Sequence, residues 1–206
     1  MRQEEAVEVL KQVGAFQTGH FVFSSGLHSS IYVEKFRILE RPLYAERLCR
    51  ELAERFSNEG VSCVAGPTMG GIIVAYEVAR HLPGARAIFA ERDGDGREFR
   101  RGFAISPGER VLVVEDVITT GGSARQVIDA VERHGGVVVG VGALVDRSGG
   151  AVSFPFRFEP IVRLSLEAYD PSQCPLCKSG VPLEHPGSSP VPHTGASPKV
   201  REAVMS

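Results

Sequence analysis

No apolar run in this sequence is long enough to cross a bilayer. The longest stretch without a charged residue, Gly60 to Tyr76, is interrupted by Gly66, Pro67, Gly70 and Gly71. The most apolar one, Gly135 to Val145, falls far short of the ~20 residues a spanning helix needs. The N-terminus, Met-Arg-Gln-Glu-Glu, carries no apolar h-region, so no secretory signal is expected and the default address is the cytoplasm. An excess of charge of one sign is missing too. A net charge of −2 over 206 residues argues against capture of nucleic acid by bulk electrostatics. Lysine is scarce: Lys11, Lys35, Lys178 and Lys199 are the only four, and the other basic residues are arginine. Cysteine is equally scarce. Cys49, Cys63, Cys174 and Cys177 are read as free thiols rather than a disulfide framework. There is no internal repeat.

What is present is a soluble globular composition, 43% hydrophobic and 23% charged, in a chain long enough for one domain with its own core. A mostly disordered chain is excluded. Residues 1–14 read as a helix with Ala6, Val7, Leu10 and Val13 on one face. Residues 15–40 mix aromatic and β-branched residues with Ser and Gly and read as short strands around a turn. A second amphipathic helix is predicted from Pro42 to Phe56, with Pro42 in its first turn. Beyond it strand and helix alternate. Strands are predicted at Val61–Ala65, Ala85–Ala90, Val111–Val114 and Val137–Val145, and helices at Ile72–His81 and Ser123–His134. Glu91–Arg110 reads as a polar loop or hairpin. Continuous Val/Ile strands alternating with helices imply a parallel sheet covered on both faces, an α/β fold. The last 21 residues, Pro186 to Ser206, hold four Pro, four Ser and no Leu, Ile or aromatic residue, so a disordered tail is expected.

The chemistry is concentrated in Val111-Leu-Val-Val-Glu115-Asp116-Val117-Ile118-Thr119-Thr120-Gly121-Gly122-Ser123. Four apolar residues make a buried strand, and two adjacent carboxylates follow at its C-terminal end, where open α/β sheets place ligands. A loop of Thr, Gly and Ser then enters a helix and offers N–H groups and hydroxyls to an anion, helped by the helix dipole. A ribose 5-phosphate suits both parts: the loop would hold the phosphate and the acids the ribose hydroxyls. The plain alternative is a strand, loop and helix with a capping hydroxyl. A Walker A loop is excluded because no Gly-Lys-Ser/Thr follows, and Gly121-Gly122 does not supply G-x-G-x-x-G.

These residues, in this order, resemble the signature of type I phosphoribosyltransferases, which bind 5-phosphoribosyl 1-diphosphate (PRPP). The resemblance covers roughly residues 15 to 150. It implies the type I fold, a central parallel sheet flanked by helices with an N-terminal hood over the base site. Glu115, Asp116, Val117, Ile118, Thr119, Thr120, Gly121, Gly122 and Ser123 would bind PRPP. Gly66-Pro-Thr-Met-Gly-Gly71 resembles the family's diphosphate loop, with Thr68, Met69, Gly70 and Gly71 as its working residues. Glu91–Arg110 lies where the family carries a mobile catalytic hairpin. Arg92, Arg97, Arg100 and Arg101 would share diphosphate binding there, offered across a homodimer interface. The family also implies Mg²⁺, held mainly through PRPP, with Glu115 and Asp116 reaching it through water.

Two features resemble the orotate enzymes within that family. The segment from Gly19 to Tyr32 is similar to their F-x-x-x-S-G-x-x-S-x-x-Y pattern, with Phe23, Ser24, Ser25 and Gly26 in the hood. Arg147, after Val145-Asp146, stands where those enzymes hold the orotate carboxylate, with Thr119 also at the base. Two parallel charge-assisted hydrogen bonds suit that pairing. The implied partners are PRPP and orotate, with no nucleic acid and no membrane. The implied reaction gives orotidine 5′-monophosphate and diphosphate, in pyrimidine biosynthesis. The alternatives are transfer to a purine or xanthine, and a PRPP-sensing regulator without turnover. The sequence departs from the family in three places: Ser24 and Gly70 stand where lysines are usual, and the hairpin has neither Lys nor His. On this reading residues 1–170 form the transferase domain, with hood 15–40, core 60–150 and hairpin 91–110. Residues 171–185 form a C-terminal extension and 186–206 the tail. Cys174-Pro-Leu-Cys177, with His185 and His193 downstream, supplies half of a zinc site at a spacing that fits no finger. It is read as a pair of turn cysteines without metal.

Overall fold

The structure is a computed structural model that describes residues 1–23 and 25–186. In chain order it contains α1 (Gln3–Gln12), β1 (Phe16–Val22), β2 (His28–Val33), α2 (Phe36–Leu39), α3 (Pro42–Arg55), β3 (Cys63–Pro67) and α4 (Gly70–Arg80). These are followed by β4 (Arg86–Asp93), β5 (Gly96–Phe99), β6 (Arg110–Ile118), α5 (Gly122–Arg133), β7 (Val137–Asp146), β8 (Phe158–Arg163) and α6 (Pro175–Lys178). No described helix is long and apolar enough to cross a membrane. The predicted tail, apart from Pro186, lies outside the described residues.

The chain divides into two compact units, one of Met1–Thr18 with Ile31–Glu167, the other of Gly19–Ser30 with Ala168–Ser206. The first contains a six-stranded sheet in the order β5-β4-β3-β6-β7-β8. All its pairings are parallel except β4 with β5, an antiparallel hairpin that pairs Ala90 with Phe99 and Asp93 with Gly96. Along β6, side chains alternate between two apolar cores, as a strand's period of two requires. Leu112 and Val114 join α1, α3 and α4 residues such as Leu10, Leu52 and Val78. Val111 and Val113 join α5 residues such as Val127 and Val131 on the opposite face. Both faces are therefore covered, which is why β3, β6 and β7 are runs of Val, Ala and Leu rather than alternating patterns.

α4 starts two residues earlier than predicted, taking Gly70 and Gly71 into the helix, and three further features differ from the sequence reading. β6 runs on through Ile118, so Glu115 and Asp116 lie within a strand and not in the loop after it. The parallel ladder with β7 explains this, since it continues through Glu115↔Ala143 and on to Ile118↔Asp146. The stretch 91–110 is a short hairpin, β4 into β5, followed by a loop from 100 to 109. β8 extends the sheet beyond β7 and was not anticipated: Phe158 to Arg163 includes Pro160 and Arg163, and as an edge strand it pairs on one side only.

In the second unit, the backbone of 19–30 is bridged by the C-terminal segment at two places, Phe21 with Glu184 and His28 with Tyr169. Neither apolar core contains a described residue of this unit.

Candidate active site

The order of strands decides where a site forms. The chain leaves β3 through α4 to β4 on one side, and β6 enters on the other side and leads through α5 to β7. The carboxyl ends of β3 and β6 therefore flank a topological switch point, where the connections diverge and leave a crevice. Two turns border it: Thr68-Met69, between β3 and α4, and Thr119–Gly121, between β6 and α5. The Thr68–Met69 peptide is cis. Arg147 follows directly on the end of β7, and its N–H donates to the Ile118 carbonyl at 2.8 Å.

A cavity of about 230 Å³ opens here, bordered by both turns, by Glu115 and Asp116, and by Lys35 and Arg147. A second cavity of about 50 Å³ lies inside the loop 117–123, and a third of about 330 Å³ lies between that loop and the hairpin around Arg92. Ser123 borders all three. Together they form a groove of the size that takes a small ligand.

The two carboxylates occupy adjacent positions of β6 and both border the main cavity. Asp116, 2% exposed, abuts Gly70 at the start of α4. A Cβ at position 70 would come within 1.7 Å of Asp116 Oδ2. That close approach is the physical reason a side chain is disfavoured at position 70. The cation comes from elsewhere. Lys35 Nζ lies 2.9 Å from Asp116 Oδ2 and 3.2 Å from Oδ1. Only the contact to Oδ1 has hydrogen-bond geometry, so Oδ2 is buried and ion-paired yet accepts no hydrogen bond. Burial works against the Lys35 charge, but the adjacent Asp116 carboxylate outweighs it and the ammonium pKa moves up. Sequence reasoning missed Lys35. Its one available signal was rarity, as one of four lysines.

Glu115, 7% exposed, borders the main cavity and also the small one inside the loop 117–123. Burial, reinforced by the neighbouring Asp116 charge, pushes its pKa well above the ordinary value of 4.5. Its Oε1 accepts from the Asp116 N–H at 3.1 Å, and Lys35 acts on it only as the weaker influence, so it keeps capacity for hydroxyls or a metal.

The loop 119–122 has no side-chain cap. Gly121 takes φ 76°, a left-handed value, and as the N-cap it offers the first turn of α5 no side-chain acceptor. A Cβ at 121 would also meet Val152 Cγ1 at 2.9 Å. The N–H of Gly122 points toward Thr120 Oγ1 at 3.4 Å, a weak internal contact that an anion could replace.

The four arginines do not share one environment. Arg97, 4% exposed, donates to Thr68 Oγ1 and to the Ala90 carbonyl, both at 3.1 Å, and reaches Ser123 Oγ at 3.5 Å. It ties the turn after β3 to the loop after β6. Its Nε has no partner, and burial lowers its pKa. Arg92 borders the third cavity. Arg100 and Arg101 are exposed and pair within their own hairpin, Arg100 with Asp93 at 2.8 Å and Arg101 with Glu91. The Arg147 guanidinium stacks 5.6 Å from the centroid of the Tyr32 ring, and burial lowers its pKa. The hood residues Phe23, Ser25 and Gly26 belong to the second unit, and Ser24 lies outside the described residues.

Residues 38–153 match the phosphoribosyl transferase domain. An orotate phosphoribosyltransferase of Pelotomaculum thermopropionicum is 53% identical over 188 residues, 91% of this chain and 98% of the relative. The chain belongs to the orotate phosphoribosyltransferase family. A second family member, from Thermotoga maritima, is 50% identical over 88% of this chain and 96% of its own length. The orotate phosphoribosyltransferase of Mycobacterium tuberculosis, solved with PRPP, superposes with a TM-score of 0.60 at 27% identity, covering 80% of this chain and 92% of that one. The fold alone does not choose the base. An adenine phosphoribosyltransferase of Rhodothermus marinus also has a TM-score of 0.60, at 26% identity over 78% of this chain and 99% of its own.

Proposed function

We propose that the chain transfers the 5-phosphoribosyl group from PRPP to orotate, giving orotidine 5′-monophosphate and diphosphate in pyrimidine biosynthesis. The observation that carries this is the single cavity bordered by Arg147, Thr119, Ser123, the Glu115–Asp116 pair and Thr68–Gly70. It brings an anchor for a carboxylate, a loop for a phosphate and acids for ribose hydroxyls to one space.

In this reading the N–H groups of Thr120 to Ser123 and the hydroxyls of Thr119 and Ser123 bind the 5-phosphate at the α5 N-terminus. Asp116 and Glu115 accept from the 3′- and 2′-hydroxyls. Lys35 holds Asp116 ionised and adds a positive charge beside the turn 68–71, in the role a loop lysine would otherwise take. Arg97 and the backbone of Thr68 to Gly71 receive the diphosphate. Donors fixed before reaction are worth about 2.7–4 kcal/mol each, because charge develops on the leaving group as the C1′–O bond breaks. Arg147 grips the orotate carboxylate with two parallel N–H donors, and the Tyr32 ring, 5.6 Å away, helps hold the guanidinium in place.

The hard carboxylate oxygens of Glu115 and Asp116, both bordering the main cavity, suit Mg²⁺ and its water shell. When bound with PRPP, that ion would neutralise charge on the leaving diphosphate. Arg100 and Arg101, exposed on the hairpin, are the residues that would serve a second copy in a homodimer. The enzyme acts in the cytoplasm. The test is a spectrophotometric assay of orotate with PRPP and Mg²⁺, run beside adenine, xanthine and uracil. Loss of orotate absorbance that requires both PRPP and Mg²⁺ is the expected result. Faster turnover of any other base sinks the assignment.

A further inference from the structure

The second unit holds four side chains that the reaction above does not use. His20 lies on β1 and His28 opens β2, eight residues on in sequence, and the two strands pair. Cys174 and Cys177 flank the start and third position of the one-turn α6. The C-terminal segment is tied to the hairpin backbone on both sides of that turn. Tyr169 exchanges two hydrogen bonds with His28, at 2.8 and 2.9 Å, and Glu184 bonds to Val22 and His20 at 3.0 and 2.7 Å. The C-x2-C turn is thereby held against the two histidines.

One nitrogen or sulfur from each of the four residues falls within 4.8 Å of all the others. His20 Nε2 is 2.9 Å from His28 Nδ1, 3.5 Å from Cys174 Sγ and 3.6 Å from Cys177 Sγ, and Cys177 Sγ is 3.3 Å from His28 Nδ1. A tetrahedral ion with Zn–N and Zn–S bonds of ordinary length spaces its ligands by about 3.3–3.8 Å. These four separations need at most about half an ångström of adjustment to reach that spacing, and the widest in the cluster, within 4.8 Å, about one ångström. His20 Nδ1 lies 2.8 Å from the Val181 carbonyl, which only a ring N–H can satisfy. That bond places the proton on Nδ1 and leaves the Nε2 lone pair facing the other three groups, the outer-shell arrangement of metal-bound histidines.

A second observation points the same way. The described part of this unit comprises 19–23, 25–30 and 168–186, and a unit with little apolar core of its own usually relies on disulfides, metal or a partner. It contributes nothing to either apolar core, and its fully buried side chains include His20, His28 and Cys174. All four cysteines of the chain are free thiols.

We infer that His20, His28, Cys174 and Cys177 form a closed, four-coordinate site for Zn²⁺ that staples this unit. Two neutral imidazoles and two thiolates match the soft, tetrahedral preference of that ion. Binding releases two thiol protons to solvent, and the two thiolates cancel the double positive charge, so the buried centre is neutral. With four protein ligands no position remains for substrate, so the site is structural.

The full chain, purified without chelator, should carry about one zinc per chain by elemental analysis. Replacing that zinc with Co²⁺ should give the visible bands of tetrahedral cobalt with thiolate ligands. Stripping the metal with a chelator should lower Tm by at least about 5 °C, and added Zn²⁺ should restore it. Cys177 is exposed, so Cys177→Ser is the variant chosen to keep the fold. It should lose at least 90% of the zinc, as should His28→Ala, whereas His185→Ala should retain it. Zinc below a tenth of the chain concentration, or zinc undiminished in Cys177→Ser and His28→Ala, overturns the inference. So does a Cys174–Cys177 disulfide in the freshly isolated protein. None of these readouts depends on which base the enzyme uses.

Discussion

The crevice at the sheet and the Cys/His cluster are built on opposite terms. The crevice is open and unfinished. Glu115 is buried with its charge disfavoured, Asp116 Oδ2 is ion-paired with Lys35 yet accepts no hydrogen bond, and Arg97 Nε donates none. The cluster is closed and charge-balanced once two thiols ionise around a dication. Groups left wanting partners cost stability and are kept where a ligand supplies those partners. Groups that complete one another serve the fold. Substitutions in the crevice should therefore move kinetics more than stability, while those in the cluster should do the reverse.

The largest effect should come from Asp116→Asn. It keeps the shape but removes the charge that pairs with Lys35 and receives the ribose. We expect kcat/KM for PRPP to fall by about 100-fold or more. Because Asp116 is buried in a strand, the circular dichroism of the variant must be shown unchanged alongside. A PRPP kcat/KM within threefold of the parent would break the contrast at its strongest point.

Gly70→Ala should come next. The new methyl collides with Asp116 Oδ2 and must displace the carboxylate from Lys35. A ten- to hundredfold loss in kcat/KM for PRPP is expected, in the range of about 1.4–2.8 kcal/mol. Orotate KM should stay nearly constant. Unaltered PRPP kinetics would mean that the close contact has no role in catalysis.

Arg147→Ala should raise the orotate KM by tens of fold, since a charge-assisted pair contributes about 1.5–3 kcal/mol. The PRPP KM should barely move. Arg147→Lys should recover part of the loss, because an ammonium cannot present two parallel donors. Equal effects on both substrates would make Arg147 a structural residue.

The smallest effect is on stability and has the opposite sign. Glu115 holds its proton more tightly folded than unfolded. Its contribution is therefore intact below the ordinary value of 4.5 and is lost as pH rises through the interval up to the raised folded value. Glu115→Gln should raise Tm at pH 8 by about 2 °C or more and make no such difference at pH 4, as thermal melts would record. A lower Tm at pH 8 would show that Glu115 is satisfied in the fold. That would remove one of the three unfinished groups.

The two regions were also unequally legible. Val111 to Ser123 is one continuous segment, and its strand, acids, loop and helix start each rest on neighbours in sequence. The acids were misplaced by a few residues, because β7 lengthens β6 by pairing alone. Lys35 was invisible because its partner lies 81 positions away and nothing local marks it. The same distance hid the cluster. The cysteines drew attention to His185 and His193, the nearest histidines downstream. His185 is exposed and stands outside the cluster, and His193 lies outside the described residues. The partners that do meet the cysteines, His20 and His28, are about 150 residues upstream.

Hydrophobic periodicity and turn chemistry determined the α/β class, the strand before the acids and the glycine-bearing loop, since all of these follow from interactions a few residues long. The pairing of Lys35 with Asp116, the glycine demanded at position 70 and the meeting of His20 and His28 with Cys174 and Cys177 were decided only by tertiary structure. Each depends on which distant backbones the sheet and the bridges bring within a few ångströms, and no local preference encodes that distance.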